Sequence, residues 1–242
     1  MNKVYAVADL HGMYNLWRQV IDSLDETDTL YMLGDAADRG PDGWKIIKEA
    51  LTDKRVIYIR GNHDQMLLDA WRYDWASDDY YMWMYNGGYE TFDALIQDEK
   101  YETYLIQLAR TKLYHCYENK EGKKIHLSHA GFTLLENDEI PNKDDLLWDR
   151  YHIDDHCDWW PEKNPNDYVV HGHTGCVSST FKRRCAPEDD MIWNKSMTML
   201  KYTHGHKICI DGRCFSRNQI AMLDLDTLTE KVFYDEDMFS DQ

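Results

Sequence analysis

Five short segments join an oxygen or imidazole ligand to a glycine. They are Asp9-Leu10-His11-Gly12, Gly34-Asp35-Ala36-Ala37-Asp38-Arg39-Gly40, Gly61-Asn62-His63-Asp64, His129-Ala130-Gly131 and His171-Gly172-His173-Thr174. Asp9 and His11 are one residue apart, and in a loop leaving a strand that spacing turns both toward one ion. Gly12 then allows a close backbone turn. Asp35 has two carboxylate oxygens and can bridge two cations. Asn62 offers an amide oxygen, and His129 and His173 offer neutral imidazoles. Carboxylate, imidazole and amide donors suit Mn²⁺, Fe or Zn²⁺ better than a thiolate-selective metal. So many donors exceed what one divalent ion needs and match what two need. His171 competes with His173 as a ligand; as the first His of its segment it points differently on the strand, and His173 is preferred. Each segment alone is explained by turn or cap chemistry. The ordered set of five is not.

The elements that must position these residues are legible in the first 64. Apolar, β-rich runs at 3–7, 29–33 and 55–59 each end at one of the first three segments. A helical stripe of Leu16, Val20, Ile21 and Leu24 and a second helix over 44–51 separate them. Strands alternating with helices predict parallel pairing with helices on the faces. Sites in such sheets gather at the carboxyl ends of the strands, where these segments fall. Residues 65–112 are rich in Trp, Tyr, Met and Leu and contain no Pro; three helices with a break at Gly87-Gly88 are expected there, as an insertion or cap. Strands return at 113–117, 124–127, 168–170, 207–210, 219–223 and 230–234, the last two as a hairpin around 224–227. A polar, Trp-rich connection lies between Pro141 and Pro165, and the acidic stretch after Asp235 is expected to fray.

The 242 residues suffice for one large domain with a full core, and a single domain over 1–242 is the expectation. The net charge of -17 argues against a general nucleic-acid binder, which needs a basic face to release counterions. Acidity does not exclude a phosphate substrate, because bound cations dominate a local field. Six scattered cysteines contain no C-x-x-C spacing, so free thiols are expected. The chain opens directly into a strand and carries no apolar run of membrane-spanning length. A cytoplasmic location, with no membrane partner, is the expectation.

The set of five resembles the calcineurin-like metallophosphoesterases. Their pattern runs Gly-Asp-x-His-Gly, Gly-Asp-x-x-Asp-Arg-Gly, Gly-Asn-His-Glu, His-Gly/Ala-Gly and Gly-His. The long form ending Asp38-Arg39-Gly40 is similar to the branch holding Ser/Thr protein phosphatases, the lambda phage phosphatase and symmetrical diadenosine tetraphosphate hydrolases. The match spans residues 9–174. Ala8 stands where the pattern has its leading Gly, a small-for-small change. Asp64 stands where Glu is usual, one methylene shorter, and weaker support of the neighbouring ligands is expected from it.

The resemblance implies an α/β sandwich of two mixed β-sheets flanked by helices. It implies that Asp9, His11 and Asp35 hold one metal, and that Asp35, Asn62, His129 and His173 hold a second. It makes His63 the general acid, paired with Asp38, and gives Arg39 and Arg150 the phosphoryl oxygens. Two divalent ions are implied, Mn²⁺ first, with Fe or Zn²⁺ as alternatives. The implied reaction is hydrolysis of a phosphate monoester by water activated between them, on a phosphorylated protein or small phosphoester. Ser/Thr protein phosphatase-like activity leads and symmetrical tetraphosphate hydrolysis follows. Two ions and two arginines balance one phosphoryl dianion better than a phosphate chain. A non-catalytic scaffold of the same fold is the third reading, and it would be expected to lack ligands that are all present here.

Overall fold

The computed structural model describes residues 2–73, 75–132, 141–153, 165–184 and 191–235. Cys157, Cys185 and the stretch expected to fray after Asp235 lie outside them. The first half runs β1 (Val4–Val7), α1 (Tyr14–Asp22), β2 (Thr29–Met32), α2 (Gly43–Thr52) and β3 (Val56–Tyr58). Four helices follow: α3 (Asn62–Arg72), α4 (Asp78–Tyr85), α5 (Tyr89–Ile96) and α6 (Tyr101–Ala109). The second half holds β4 (Tyr114–Glu118), β5 (Lys124–Ser128), α7 (Lys143–Trp148), β6 (Asp167–His171) and α8 (Ser179–Arg184). Then come β7 (Ile192–Trp193), β8 (Leu200–Tyr202), β9 (Lys207–Cys209), α9 (Cys214–Arg217), β10 (Gln219–Asp224) and β11 (Thr229–Tyr234).

The strands form two mixed sheets, in the orders β11-β10-β1-β2-β3 and β4-β5-β6-β9-β8-β7. In the first, β1, β2 and β3 are parallel; in the second, β5, β6 and β9 are parallel. Period-two alternation sorts the side chains into layers. Val4, Ala6, Tyr31 and Leu33 meet Leu127, Val170, Ile208 and Ile210 between the sheets. Val7, Leu30 and Met32 point the other way, against Leu16, Trp17, Val20 and Ile46 of α1 and α2. The outer face of the second sheet packs Leu200, Tyr202 and Cys209 against Phe181 and Ile153. Each fully buried aliphatic side chain contributes about 1.5–3 kcal/mol. This is an α/β sandwich of two mixed sheets with helices on both outer faces.

Four helices, not three, fill the stretch after β3. The first begins at Asn62, so Asn62 and His63 occupy a helical first turn where a strand-end loop is expected from the sequence. The cause is Asp64, whose carboxylate accepts the N–H of Gly61 at 2.9 Å. It also accepts the N–H of Asp35 at 3.1 Å and the Tyr58 hydroxyl at 3.0 Å. The shorter Asp therefore reaches its partners, and the weakened support expected of it is corrected. The sequence between α3 and α4 carries no Gly or Pro; Ser77 caps α4 by accepting from the Tyr80 N–H. In the polar connection after Pro141, Asn142 accepts from the N–H groups of Asp144 and Asp145 and starts α7.

Candidate active site

Six parallel strands deliver one polar residue each to a common edge. Asp9 follows β1, Asp35 follows β2 and Asn62 follows β3; His129, His173 and Asp211 follow β5, β6 and β9. The backbone there is forced. Asp9, His11, Asp35, Asp38, Arg39 and His173 all have positive φ, between 42° and 70°. Asp, Asn and His tolerate this region better than most residues. Strain of this kind clusters at functional sites, where surrounding structure over-determines it. Two glycines make room for carboxylates. A Cβ on Gly172 would lie 1.9 Å from Asp9 Oδ2, and one on Gly61 would lie 2.2 Å from Asp35 Oδ1.

The donors converge around Asp35. His11, Asp35 and His63 form one group whose ligand atoms lie within 4.8 Å of one another; Asp9, Asp35 and His129 form the other. Asp35 belongs to both. His129 Nδ1 donates to the Leu33 carbonyl at 2.7 Å, which turns its Nε2 lone pair inward. That nitrogen faces Asn62 Oδ1 at 2.8 Å and Asp35 Oδ2 at 3.4 Å. Lone pairs so close repel unless a proton or a cation lies between them. His11 Nδ1 likewise donates to the Ala37 carbonyl at 2.9 Å, leaving Nε2 inward. His173 places Nδ1 2.9 Å from Asn62 Oδ1, and its buried Nε2 has no hydrogen-bond partner among the described residues. Its N–H donates to Asp9 at 3.0 Å. His171 is elsewhere: Nε2 meets the Tyr202 hydroxyl at 2.7 Å on the outer side of the second sheet. The geometry thus brings together His173, not His171, with Asp9, His11, Asp35, Asn62 and His129. Such a hard, mixed N/O donor set with an unpartnered imidazole nitrogen fits divalent metal ions.

Burial dominates the electrostatics. It pushes the Asp9 carboxyl well above the ordinary range, helped by the negative neighbours Asp211 and Asp35. It holds His11 and His173 well below the usual imidazole value, in the neutral form that ligates. Burial opposes ionisation of Asp35 too, but charge interactions with the surrounding histidines, His129 and His63 foremost, outweigh it and keep that carboxyl below its usual range.

His63 sits in the first turn of α3, where its otherwise unpaired N–H donates to Asp35 Oδ1 at 3.0 Å. Its Nδ1 lies 2.7 Å from Asp38 Oδ2. Asp38 is fully buried and also accepts from the indole N–H of Trp83 in α4, at 2.9 Å to each oxygen. Burial works against a charge on His63, but Asp35 and Asp38 outweigh it and raise its pKa. Arg39 spans the site, with Nη1 2.7 Å from His11 Nε2 and Nη2 2.9 Å from His63 Nε2. Arg150 is exposed after α7 and lines a cleft of about 490 Å³ that also takes in Arg39, Thr174, Ser178, Arg213 and Phe215.

Three site residues escape the sequence reading. Trp83 is one aromatic among many in 71–92 and carries no positional signal. Asp211 carries one: Ile208-Cys209-Ile210-Asp211-Gly212 repeats the pattern of a strand, a carboxylate and a glycine. Arg213 follows it into the cleft.

The comparisons with known proteins agree with this arrangement. The family model described as calcineurin-like phosphoesterase matches residues 2–177. The serine/threonine-protein phosphatase 1 of Salmonella typhimurium is 34% identical over 156 residues, 62% of this chain and 69% of that protein. The symmetrical bis(5'-nucleosyl)-tetraphosphatase of Nitrosospira multiformis is 40% identical over 70 residues, 27% of this chain and 25% of that one. This chain spans less than half the length of the tetraphosphatases it matches. The solved structure of a protein serine/threonine phosphatase from Saccharomyces cerevisiae superposes with a TM-score of 0.58 at 12% identity, over 97% of this chain and 80% of the other. That likeness shows the shared fold. With the family model covering residues 2–177 of 242, this chain belongs to the calcineurin-like phosphoesterase family.

Proposed function

We propose that this chain is a two-metal phosphoric-ester hydrolase whose machinery is that of the Ser/Thr protein phosphatases. One observation carries the reading. Asp35 is common to two donor groups, and the His63–Asp38 pair stands beside it. Asp9, His11 and Asp35 would hold one divalent ion, Mn²⁺ by preference; Asp35, Asn62, His129 and His173 would hold the other. When bound, such ions polarise phosphoryl oxygens and lower the pKa of water. The protein's own groups do the rest. Arg39, released from the imidazoles it faces, and Arg150 across the cleft offer planar forks to the non-bridging oxygens. His63 donates a proton to the leaving oxygen, a general acid's task. Asp38 fixes the ring through Nδ1 and favours its charged form.

Two substrate classes fit this machinery. Phosphoserine and phosphothreonine side chains need one phosphoryl cradle, which Arg39 and Arg150 supply. Dinucleoside tetraphosphates need further cationic room, and the observation favouring them is Arg213, a third arginine on the same cleft. The test is an assay of the Mn²⁺-loaded protein on phosphoserine, phosphothreonine and phosphotyrosine peptides, p-nitrophenyl phosphate and diadenosine tetraphosphate. Metal-dependent hydrolysis of the monoesters is expected. No hydrolysis of any of them with Mn²⁺, Fe²⁺ or Zn²⁺ would refute the assignment.

A further inference from the structure

We propose that Gly87 and Gly88, at the corner between α4 and α5, are positioning residues for the active site: Gly87 sets Arg39, and Gly88 sets Asp38 through Trp83. The inference rests on the hydrolase reading above and adds which residues outside the five segments hold its phosphate-binding and proton-donating groups.

Asp38 and Arg39 are consecutive left-handed residues, with φ 70° and 68°. Residues other than glycine adopt that conformation at a cost, so two in a row need support from outside. The helical stretch supplies it. The Asp38 N–H donates to Thr91 Oγ1 at 2.9 Å, and the Arg39 N–H donates to the Gly87 carbonyl at 3.0 Å.

The two glycines are needed for different reasons. Gly87 has φ 100°, where side chains are rarely accommodated. A Cβ there would also lie 3.2 Å from both Cγ and N of Arg39, so the arginine would have to give way. Gly88 has φ -72° and ψ -10°, helical values open to any residue. Its glycine is required by contact instead. A Cβ there would lie 2.6 Å from Trp83 Cε2 and 2.8 Å from Nε1. Nε1 carries the N–H that both Asp38 oxygens accept, at 2.9 Å each. Trp83 is fully buried, so the indole has little room to step aside. A side chain at position 88 therefore displaces the donor that fixes Asp38, and Asp38 in turn holds His63 Nδ1 at 2.7 Å. One corner reaches two functions by separate routes: Gly87 through the backbone to the phosphate-binding arginine, Gly88 through packing to the general-acid pair.

That separation can be measured. Gly87→Ala, Gly87→Asn, Gly88→Ala and the remote Gly122→Ala are compared with wild type, all loaded with Mn²⁺. Asn tolerates positive φ better than most residues, so Gly87→Asn isolates the contact with Arg39. Gly122 also has positive φ, 75°, but open space around it, so Gly122→Ala carries the backbone cost alone. One readout is KM for p-nitrophenyl phosphate together with the calorimetric Kd for inorganic phosphate. The other is kcat on a phosphoserine peptide relative to p-nitrophenyl phosphate. The Gly87 variants are expected to raise KM and Kd about tenfold, as for one lost charge-assisted hydrogen bond, with the kcat ratio unmoved. Gly88→Ala is expected to lower the kcat ratio about tenfold and to spare the phosphate Kd. In a Trp83→Phe background Gly88→Ala should cost little more, because the donor it displaces is already gone. Gly122→Ala should move neither readout. Folded Gly87 and Gly88 variants with wild-type values would overturn the assignment, as would an additive loss in the double variant. Loss of the fold in both Gly87 variants, read by circular dichroism, would make that residue structural and overturn its part. A wild-type chain inactive on every ester would instead sink the hydrolase reading, and the phosphate titration would still test Gly87.

Discussion

His63 and Asp38 carry the sharpest claims at the scale of single residues. His63→Ala should lower kcat by roughly 10²–10⁴ on alkyl phosphates with metal content unchanged, and by much less on p-nitrophenyl phosphate, whose leaving group needs little protonation. Equal losses on both would argue for a different role. The sign of the pH effect follows from the environment. Burial disfavours the imidazolium, but Asp35 and Asp38 together raise its pKa. Activity that needs this proton persists below the raised pKa and fades as pH rises through it. Asp38→Asn removes one source of the raise, so the alkaline limb of the kcat profile should move to lower pH; an unmoved limb would separate Asp38 from proton transfer. The proposed ligand residues were legible in the sequence because each is an oxygen or imidazole donor within three residues of a glycine, and the glycines mark close approaches such as Gly172 to Asp9. Trp83 was not legible, because a hydrogen bond across 45 positions from an indole to Asp38 leaves no local pattern.

Trp83 belongs to α4, and at the scale of elements it ties the helical stretch to the proposed general-acid pair. Its indole N–H is shared by both oxygens of Asp38, and the backbone N–H of Asp38 donates to Thr91 Oγ1 of α5 at 2.9 Å. Hydrogen bonds to charged groups contribute about 1.5–3 kcal/mol, so Trp83→Phe should cost about tenfold in kcat while the protein keeps its metal. Full activity in that variant would leave α4 as packing alone. Asp98, between α5 and α6, ties these helices to α2. Its carboxylate accepts from Lys48 Nζ at 2.7 Å and Trp44 Nε1 at 3.1 Å. The Lys48 bond, above the opposing effect of burial, holds its pKa below the usual 3.8. The resulting stability is fully present above the unfolded-state value and is lost as pH falls through the folded one. Asp98→Asn should therefore destabilise by about 1 kcal/mol near pH 7, and the gap in Tm should close toward pH 3. A gap that stays constant with pH would place the effect elsewhere. The strands of the first half follow from their apolar runs, but β7 and β8 have two and three residues and little pattern to read. The start of α3 at Asn62 had a local signal, Asp64 three residues after Gly61 and accepting its N–H, but the bond from the Asp35 N–H of the neighbouring loop that completes the tie is tertiary and leaves no local pattern.

At the scale of the whole molecule, two sheets have parallel strands that end at one edge, and that convergence gives an acidic chain its candidate phosphate site. With a net charge of -17, the surface repels phosphates, and the site must supply its own positive field. The charge arithmetic that favours monoesters from sequence counts Arg39 and Arg150; the cleft adds Arg213, which only the path from β9 into α9 brings there. The parallel-sheet logic was visible in the alternation of strands and helices, whereas the meeting of the two sheets, and with it Asp211, depends on packing between segments more than a hundred residues apart. The central claim is that two cations share Asp35. Its most direct test is stepwise Mn²⁺ titration of the chelated protein, following p-nitrophenyl phosphate hydrolysis and bound metal together, in wild type and Asp35→Asn. Activity that rises to a plateau at two equivalents in wild type, with occupancy and turnover both lost in Asp35→Asn, is the expected result. Full turnover at one equivalent, or two ions retained with normal turnover in Asp35→Asn, would contradict it.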